Sequence, residues 1–324
     1  MKQLAAYQQT FLDYLSKQNY QKNPLGLYEP IDYIMHLDGK RLRPILVMMA
    51  AEAFGKNTEE ALPAALAIEC FHNFSLVHDD IMDNASLRRG KATVHEKWDV
   101  NTGILSGDAM LILCYQYFEA YDNATYAQLT KLFSKTAIEV CEGQQWDVEF
   151  EVRNDVQMHE YLQMIEYKTA VLVAAALQMG GIIAGASKED QAHIYQFGRL
   201  LGIAFQLQDD YLDAFGNPET FGKKVGGDII ENKKTYLYLK AIELSSEKDK
   251  NQLEHLFSLS AIDEESKIAN VKEIFQSCGA DIATQKAVED FTNQAFQQLD
   301  SLQIPLEKKE LLKGFGTWLM NRSK

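Results

Sequence analysis

The chain of 324 residues is poor in residues that interrupt helices and in cysteines that could form a covalent framework. It has six prolines, and none lies between Pro63 and Pro218, so no proline forces a helix to end over that stretch. The four cysteines include no Cys-x-x-Cys pair, which argues against a disulfide framework and against a thiolate zinc site. This usage is typical of a reducing compartment, and we expect a cytoplasmic location.

The chain also lacks an excess of positive charge and a long apolar run. It has 32 Lys+Arg against 46 Asp+Glu, a net charge of −14, whereas a nucleic-acid binder needs a basic face. The longest apolar stretch, residues 171–186, is interrupted by Gln178 and by the pair Gly180-Gly181 and is too short to cross a bilayer. We therefore expect no nucleic-acid partner and no membrane span.

Apolar residues at helical spacing are abundant. Segments rich in Ala, Leu, Gln, Glu and Met favour helix, and apolar positions recur every three or four residues. No run alternates cleanly with period two, and no Asn-Gly or Asp-Gly turn joins strand-like segments. No linker or shift in composition divides the chain. We predict an all-α fold, with residues 1–324 forming a single domain built as one large helical bundle.

Two segments share the pattern Asp-Asp-x-x-Asp. On a helix, carboxylates at i and i+4 share a face and repel, so each cluster calls for a compensating cation. Carboxylates without His or Cys partners suit Mg²⁺, which proteins usually hold with one or two carboxylates plus substrate phosphates. One such cluster is equally well explained as a solvated helix end, but two within apolar neighbourhoods favour a metal site. The predicted metal ligands are Asp79, Asp80, Asp83, Asp209, Asp210 and Asp213.

Basic residues gather close to both aspartate clusters. Arg88 and Arg89 follow the first cluster, and Lys223 and Lys233 follow the second. Arginine and lysine bind phosphate oxygens, so a carboxylate-bound metal with these neighbours would form a diphosphate site. Other phosphate motifs fail: residues 216–223 are one residue too long for a P-loop, and no Rossmann fingerprint is present.

These motifs resemble the trans-type prenyl diphosphate synthases of the polyprenyl synthetase family. The matching segments are GKRLRP at 39–44, HNFSLVHDDIMD at 72–83, LRRGKATVH at 87–95, SGDAML at 106–111, EYKTA at 166–170 and the stretch 205–235. The resemblance implies the isoprenoid synthase fold, a helical bundle around a central apolar cavity, and a homodimer. It also implies a prenyltransferase that uses several Mg²⁺ ions to condense isopentenyl diphosphate with dimethylallyl, geranyl or farnesyl diphosphate, head to tail.

The resemblance further implies roles for individual residues. The allylic diphosphate would bind through Mg²⁺ to Asp79, Asp83 and Asp209. The residues on its oxygens would be Arg88, Lys168 and Lys223. Thr169 and Gln206 would offer oxygens near the allylic cation, and Lys233 would help hold the leaving diphosphate. The implied ligands of isopentenyl diphosphate are Lys40, Arg43, His72 and Arg89.

The product is predicted to be geranylgeranyl or farnesyl diphosphate. In the family that the sequence resembles, bulk just before the first aspartate cluster sets product length, and the candidates are Phe71, Phe74 and Ser75. Both aromatics could equally be ordinary core residues. A longer-chain synthase for quinone side chains and a non-catalytic partner subunit stay open as alternatives. Two intact aspartate clusters speak against the partner subunit, and the motifs at 39–44 and 87–90 speak against a terpene cyclase.

Overall fold

The structure, a computed structural model, describes residues 2–217, 225–259 and 263–321. Over these ranges it is helical almost throughout, and the predicted all-α fold is confirmed. The α-helices in chain order are α1 (Lys2–Leu15), α2 (Leu25–Met35), α3 (Leu42–Ala53), α4 (Leu62–Met82), α5 (Val94–Lys97), α6 (Val100–Phe118), α7 (Asn123–Val152), α8 (Met158–Ile165), α9 (Val171–Ile183), α10 (Lys188–Phe215), α11 (Gly227–Ile230), α12 (Tyr236–Leu244), α13 (Glu247–Leu256), α14 (Glu264–Ser277), α15 (Ala280–Ser301) and α16 (Leu306–Met320). A 3₁₀ turn, Thr58–Ala61, precedes α4, and a π turn, Glu166–Ala170, joins α8 to α9.

The contacts within the chain define two compact units. The first unit comprises Met1–Ser134 with Ala175–Gln191, and the second comprises Lys135–Ala174 with Ala192–Lys324. The single domain over residues 1–324 stays a prediction. Among the described residues, every helix is too short or too polar to span a bilayer.

Helix α4 is the central helix of the first unit and packs against α1, α3 and α6. Pro63 lies in its first turn, where a missing backbone N–H costs nothing. All residues from Ala64 to Phe71 are buried, and all of them except Glu69 are apolar, as expected of a buried helix. The first aspartate cluster occupies the C-terminal end of this rigidly held helix.

A short β-hairpin follows α4, in a segment without an Asn-Gly or Asp-Gly turn signal. Strands β1 (Leu87–Arg88) and β2 (Lys91–Ala92) pair antiparallel around Arg89 and Gly90. Both turn residues have positive φ, 53° and 75°. This is the conformation of a two-residue type I′ turn, which normally carries Asn-Gly or Asp-Gly. The arginine in the first position explains why the sequence pattern missed the turn.

The second unit is built around an apolar core shared by α8, α12 and α14. Helix α12 packs against α8, α13, α14 and α15, and Leu253, Val271 and Phe275 are at most 1% exposed. The second aspartate cluster lies in the last two turns of α10, and α11 follows it closely along the chain. This core fixes the helices that carry the candidate site residues of the second unit.

Candidate active site

The first aspartate cluster lies at the end of α4. Asp83 caps the helix, and its backbone N–H donates to the carbonyl of Asp79 at 2.8 Å. The helical geometry therefore continues through Asp83 and puts both side chains on one face. Asp79 is half-buried and Asp83 is exposed. These two carboxylates are the more accessible members of the cluster.

Asp80, the middle aspartate of the first cluster, is only 1% exposed. Its Oδ1 accepts from Nε of Arg88 at 3.0 Å and from a second guanidinium nitrogen of the same arginine. Its Oδ2 is buried and has no hydrogen-bond partner among the described residues. Arg88, predicted to bind the diphosphate, is thus held by a carboxylate of the protein itself.

The second cluster has the same division of burial. Asp210, its middle aspartate, is 4% exposed, whereas Asp209 and Asp213 are half-buried. Asp210 accepts from the hydroxyl of Tyr161, from Nε2 of Gln206 at 3.3 Å and from the backbone N–H of Tyr236. In both clusters the middle carboxylate is therefore the most buried of the three.

Burial, followed by the negative charge of Asp228, raises the pKa of Asp210 to about 8. The hydrogen bonds from Tyr161 and Gln206 act in the opposite direction. Asp213 is oriented by the start of α11, where the backbone N–H of Asp228 donates to its Oδ2 at 3.0 Å. This hydrogen bond fixes the Asp213 carboxylate relative to the backbone of Asp228.

Five predicted residues meet in one cavity of the second unit. The cavity has a volume of about 140 Å³. The predicted residues that line it are Lys168, Thr169, Gln206, Asp210 and Lys233. Sequence reasoning missed Asp147, Tyr161, Asp228 and Lys234, which also line it, because each lies outside the matching motif segments or was not singled out within them. Lys223 lies outside the described residues.

Two lysines of this cavity, Lys168 and Lys233, are held by carboxylates. Nζ of Lys168 lies 2.5 Å from Oδ2 of Asp147. Nζ of Lys233 lies 2.8 Å from Glu231 and 3.8 Å from Asp228. Burial alone would lower the pKa of Lys233, but these two carboxylates raise it above its ordinary value, so the ammonium stays charged at neutral pH. The cavity can therefore present positive charge to an anion.

A cationic group in the first unit surrounds His72. Burial, followed by the positive charges of Arg43, Arg89 and Arg88, holds the pKa of His72 well below its usual range. The imidazole is therefore neutral at pH 7. Nε of Arg43 is buried without a hydrogen-bond partner among the described residues, while Lys40 is exposed. A group of arginines around a neutral histidine is suited to bind an anion.

Arg41, in the same motif as Lys40, has a structural position that the sequence did not reveal. It is 4% exposed, and its Nη1 lies 2.6 Å from Oε1 of Glu69. Its Nη2 donates to the carbonyls of Met35 and Leu37. This arginine therefore ties the segment before α3 to the middle of α4.

The three chain-length candidates differ in position. Phe71 is 1% exposed and packs edge-on against Phe133, with ring centroids 5.2 Å apart, so it is a core residue. Phe74 is half-buried, and its ring lies 5.5 Å from that of Phe71 and 4.8 Å from that of His78. The hydroxyl of Ser75 donates to the carbonyl of His72. Of the two aromatic candidates, Phe74 is therefore the more accessible.

The aspartate clusters are suited to a hard cation, because carboxylate oxygens are the ligands that Mg²⁺ prefers. The orphaned buried oxygen of Asp80 fits such a site. In the described ranges, no group of three or more His, Cys, Asp or Glu side chains converges on one point.

Known proteins resemble this chain over nearly its whole length. A short chain isoprenyl diphosphate synthase of Methanothermobacter thermautotrophicus is 38% identical over 303 residues, 92% of this chain and 91% of that protein. A crystal structure of a geranylgeranyl pyrophosphate synthase matches with a TM-score of 0.95 and 53% identity, covering 99% of each chain.

A more distant match is the crystal structure of a geranylgeranyl pyrophosphate synthase from Corynebacterium glutamicum, complexed with isoprenyl diphosphate and magnesium. It has a TM-score of 0.83 and 26% identity, and covers 99% of this chain and 98% of that one. The family model described as polyprenyl synthetase matches residues 25–277. The family predicted from the motifs is therefore confirmed: this chain belongs to the polyprenyl synthetase family.

Proposed function

We propose that this protein is a prenyltransferase that condenses isopentenyl diphosphate with an allylic diphosphate, head to tail and in the trans configuration. The observation that carries the proposal is the cavity where Lys168, Thr169, Gln206 and Lys233 meet beside the second aspartate cluster. The names of two similar proteins, a short chain isoprenyl diphosphate synthase and a geranylgeranyl pyrophosphate synthase, support a short product, geranylgeranyl or farnesyl diphosphate.

We assign Mg²⁺ binding to the accessible carboxylates, Asp79 and Asp83 in the first cluster and Asp209 and Asp213 in the second. Their partial exposure supports this choice, as does the magnesium in the Corynebacterium relative. When bound, Mg²⁺ neutralises the diphosphate and stabilises the charge that develops as it departs. Asp80 and Asp210, the buried members, are proposed as further ligands, and the unpartnered Oδ2 of Asp80 supports this assignment in the first cluster.

The basic residues bind the two substrates. Lys168 and Lys233 hold the oxygens of the allylic diphosphate, and Arg88, oriented by Asp80, offers its remaining guanidinium donors to the same group. Lys223 is proposed for this role on its motif alone. Isopentenyl diphosphate binds through Lys40, Arg43, His72 and Arg89. Because His72 is neutral, it donates one N–H without adding to the positive charge.

The reaction breaks the allylic C–O bond and transfers its electron pair to the departing diphosphate. The preorganised lysines stabilise that negative charge. Oxygens of Thr169 and Gln206 face the positive charge on the allylic carbon. The double bond of isopentenyl diphosphate attacks this carbon, and the released diphosphate accepts the proton that is then lost.

We also propose that the protein is a cytoplasmic homodimer. Large apolar side chains are exposed on α6, namely Ile104 (42%), Leu105 (60%) and Ile112 (59%). Their spacing of seven and eight residues puts them on one side of the helix. A second copy of this chain covering that side would remove this apolar surface from water.

One assay tests the proposed activity. The purified protein is incubated with Mg²⁺, isopentenyl diphosphate and dimethylallyl, geranyl or farnesyl diphosphate in turn, and product chain length and released diphosphate are measured. We expect products of 15 or 20 carbons, loss of turnover in chelator, and recovery when Mg²⁺ is restored. Absence of product with all three primers contradicts the proposal, and longer products favour the quinone-side-chain alternative.

A further inference from the structure

Lys168 and Thr169 lie in the π turn between α8 and α9. In this turn the backbone N–H of Val171 donates to the carbonyl of Glu166, five residues earlier. A π turn is rare, costs more than a regular helical turn, and occurs mostly at functional sites. It persists where the surrounding structure holds it in place.

Two helices approach the backbone of this turn at glycines. A Cβ atom added to Gly143 on α7 would lie 2.2 Å from the backbone nitrogen of Lys168 and 2.7 Å from the carbonyl carbon of Tyr167. A Cβ atom added to Gly202 on α10 would lie 2.6 Å from Cα of Ala170. Ordinary contacts of a Cβ atom begin at 3.4 Å, so neither position accepts a larger residue without movement of the backbone.

One helical turn after each glycine, a side chain pairs with the π turn. Asp147, four residues after Gly143, lies 2.5 Å from Nζ of Lys168. Gln206, four residues after Gly202, accepts from the hydroxyl of Thr169 at 3.3 Å. The same arrangement therefore occurs twice: a glycine admits the backbone, and the residue at i+4 on the same face holds the side chain.

We propose that Gly143 and Gly202 are positioning residues for the reaction. They let α7 and α10 come close enough to the π turn for Asp147 and Gln206 to orient Lys168 and Thr169. This inference rests on the proposed function, which assigns those two residues to the allylic diphosphate and the allylic cation. It assigns a positioning role to Gly143, Gly202 and Asp147, which are not themselves proposed to bind a substrate.

The substitution Gly143→Ala tests the inference. The added methyl group must move the π turn by about 1 Å, the difference between 2.2 Å and an ordinary contact of 3.4 Å. A displacement of that size in a reacting site costs about 100-fold in rate, so we expect kcat to fall about 100-fold. KM for isopentenyl diphosphate should stay unchanged, because its proposed ligands belong to other segments. Gly202→Ala should act in the same direction with a smaller effect.

Gly180→Ala is the matched control. A Cβ atom there would lie 2.4 Å from the carbonyl oxygen of Val47 and 2.6 Å from the nitrogen of Ala51, an overlap of the same size that involves no proposed functional residue. We expect Gly180→Ala to lower the melting temperature as much as Gly143→Ala while keeping kcat. Asp147→Asn, which adds no bulk, tests the i+4 pair if Gly143→Ala does not fold, and it too should lower kcat more than KM.

Hydrogen–deuterium exchange of the peptide covering 166–170 gives a second readout that needs no turnover. Exchange should be faster in Gly143→Ala and Gly202→Ala than in the wild type, and unchanged in Gly180→Ala. Wild-type kcat in both folded variants, or an equal loss of kcat in Gly180→Ala, overturns the inference. If the wild type forms no prenyl product, the proposed function fails, and unchanged exchange in the two glycine variants then overturns the positioning role separately.

Discussion

The guanidinium of Arg41 lies 2.6 Å from the carboxylate of Glu69, and both side chains are only 2% exposed. Removing one member of such a buried pair leaves an uncompensated charge in the interior. We expect Glu69→Ala to lower the free energy of unfolding by about 3–5 kcal/mol, measured by chemical denaturation. Glu60→Ala removes one member of an exposed pair with Lys56 and should change it by less than about 1 kcal/mol. Equal effects of the two substitutions would contradict the buried-pair assignment.

Loss of an accessible aspartate should reduce turnover by orders of magnitude without unfolding the protein. Asp79→Ala and Asp209→Ala each remove a proposed metal ligand, and we expect kcat to fall by about 10²–10³-fold, as for other groups that stabilise developing charge. The melting temperature measured by circular dichroism should change little. Normal turnover in either variant would reject its assignment.

Substitution of the buried middle aspartate, Asp80, should lower stability as well as turnover. Asp80→Ala leaves Arg88 without its carboxylate, so we expect a lower melting temperature in addition to reduced turnover. Thermal unfolding followed by circular dichroism, compared with Asp79→Ala, checks this. An equal melting temperature for the two variants would show that burial does not separate their roles.

His72 should make the unliganded protein less stable at acidic pH. Its folded pKa lies below the ordinary value, so the unfolded chain binds more protons as the pH falls below about 6.5, and stability decreases. This single group contributes at most about 1.4 kcal/mol per pH unit. We expect the free energy of urea unfolding to drop more between pH 7.5 and 5.5 in the wild type than in His72→Gln. The other histidines are present in both proteins and serve as the internal control.

Phe74→Ala should lengthen the product. The substitution removes the half-buried ring that lies beside Phe71 and His78, which opens space before the first aspartate cluster. Chromatography of the products should show a shift towards longer chains. Leu76→Ala, about 200° around the same helix, should leave the distribution unchanged. An unaltered distribution in Phe74→Ala would remove this residue from the role.

The dimer interface proposed on α6 can be tested by introducing a charged side chain into it. Ile112→Glu puts a carboxylate into the apolar face, and we expect a smaller mass by multi-angle light scattering because a buried unpaired charge is costly. Ile282→Glu on α15 alters a side chain that is 67% exposed and should leave the mass of the dimer unchanged. A monomeric wild type would refute the proposed dimer.

Local sequence patterns predicted the helices and both aspartate clusters, because helical spacing and short motifs are read within a few residues. They treated the three aspartates of each cluster as equivalent. The structure distinguishes them through partners elsewhere in the chain: Arg88 is eight residues after Asp80, and Tyr161 is 49 residues before Asp210. Burial of a polar side chain depends on such partners, and no local pattern reveals them.

The sequence pattern did not predict the π turn either. The segment 166–170 was recognised as a motif, but its residues are compatible with an ordinary α-helix. What distinguishes it is the close approach of Gly143 and Gly202, 23 or more residues away along the chain. A lone glycine in a helical segment can indicate such an approach, yet the partner can be identified only in three dimensions.

In the hairpin after α4, two consecutive arginines, Arg88 and Arg89, have different partners. Arg88 is directed to Asp80, while Arg89 donates to the carbonyl of Leu37 and lies over Gly39. The turn that joins β1 to β2 uses a left-handed backbone at Gly90, where any other residue is strained. Because we propose Arg88 for the allylic diphosphate and Arg89 for isopentenyl diphosphate, we expect a substitution at Gly90 to weaken the binding of both substrates together.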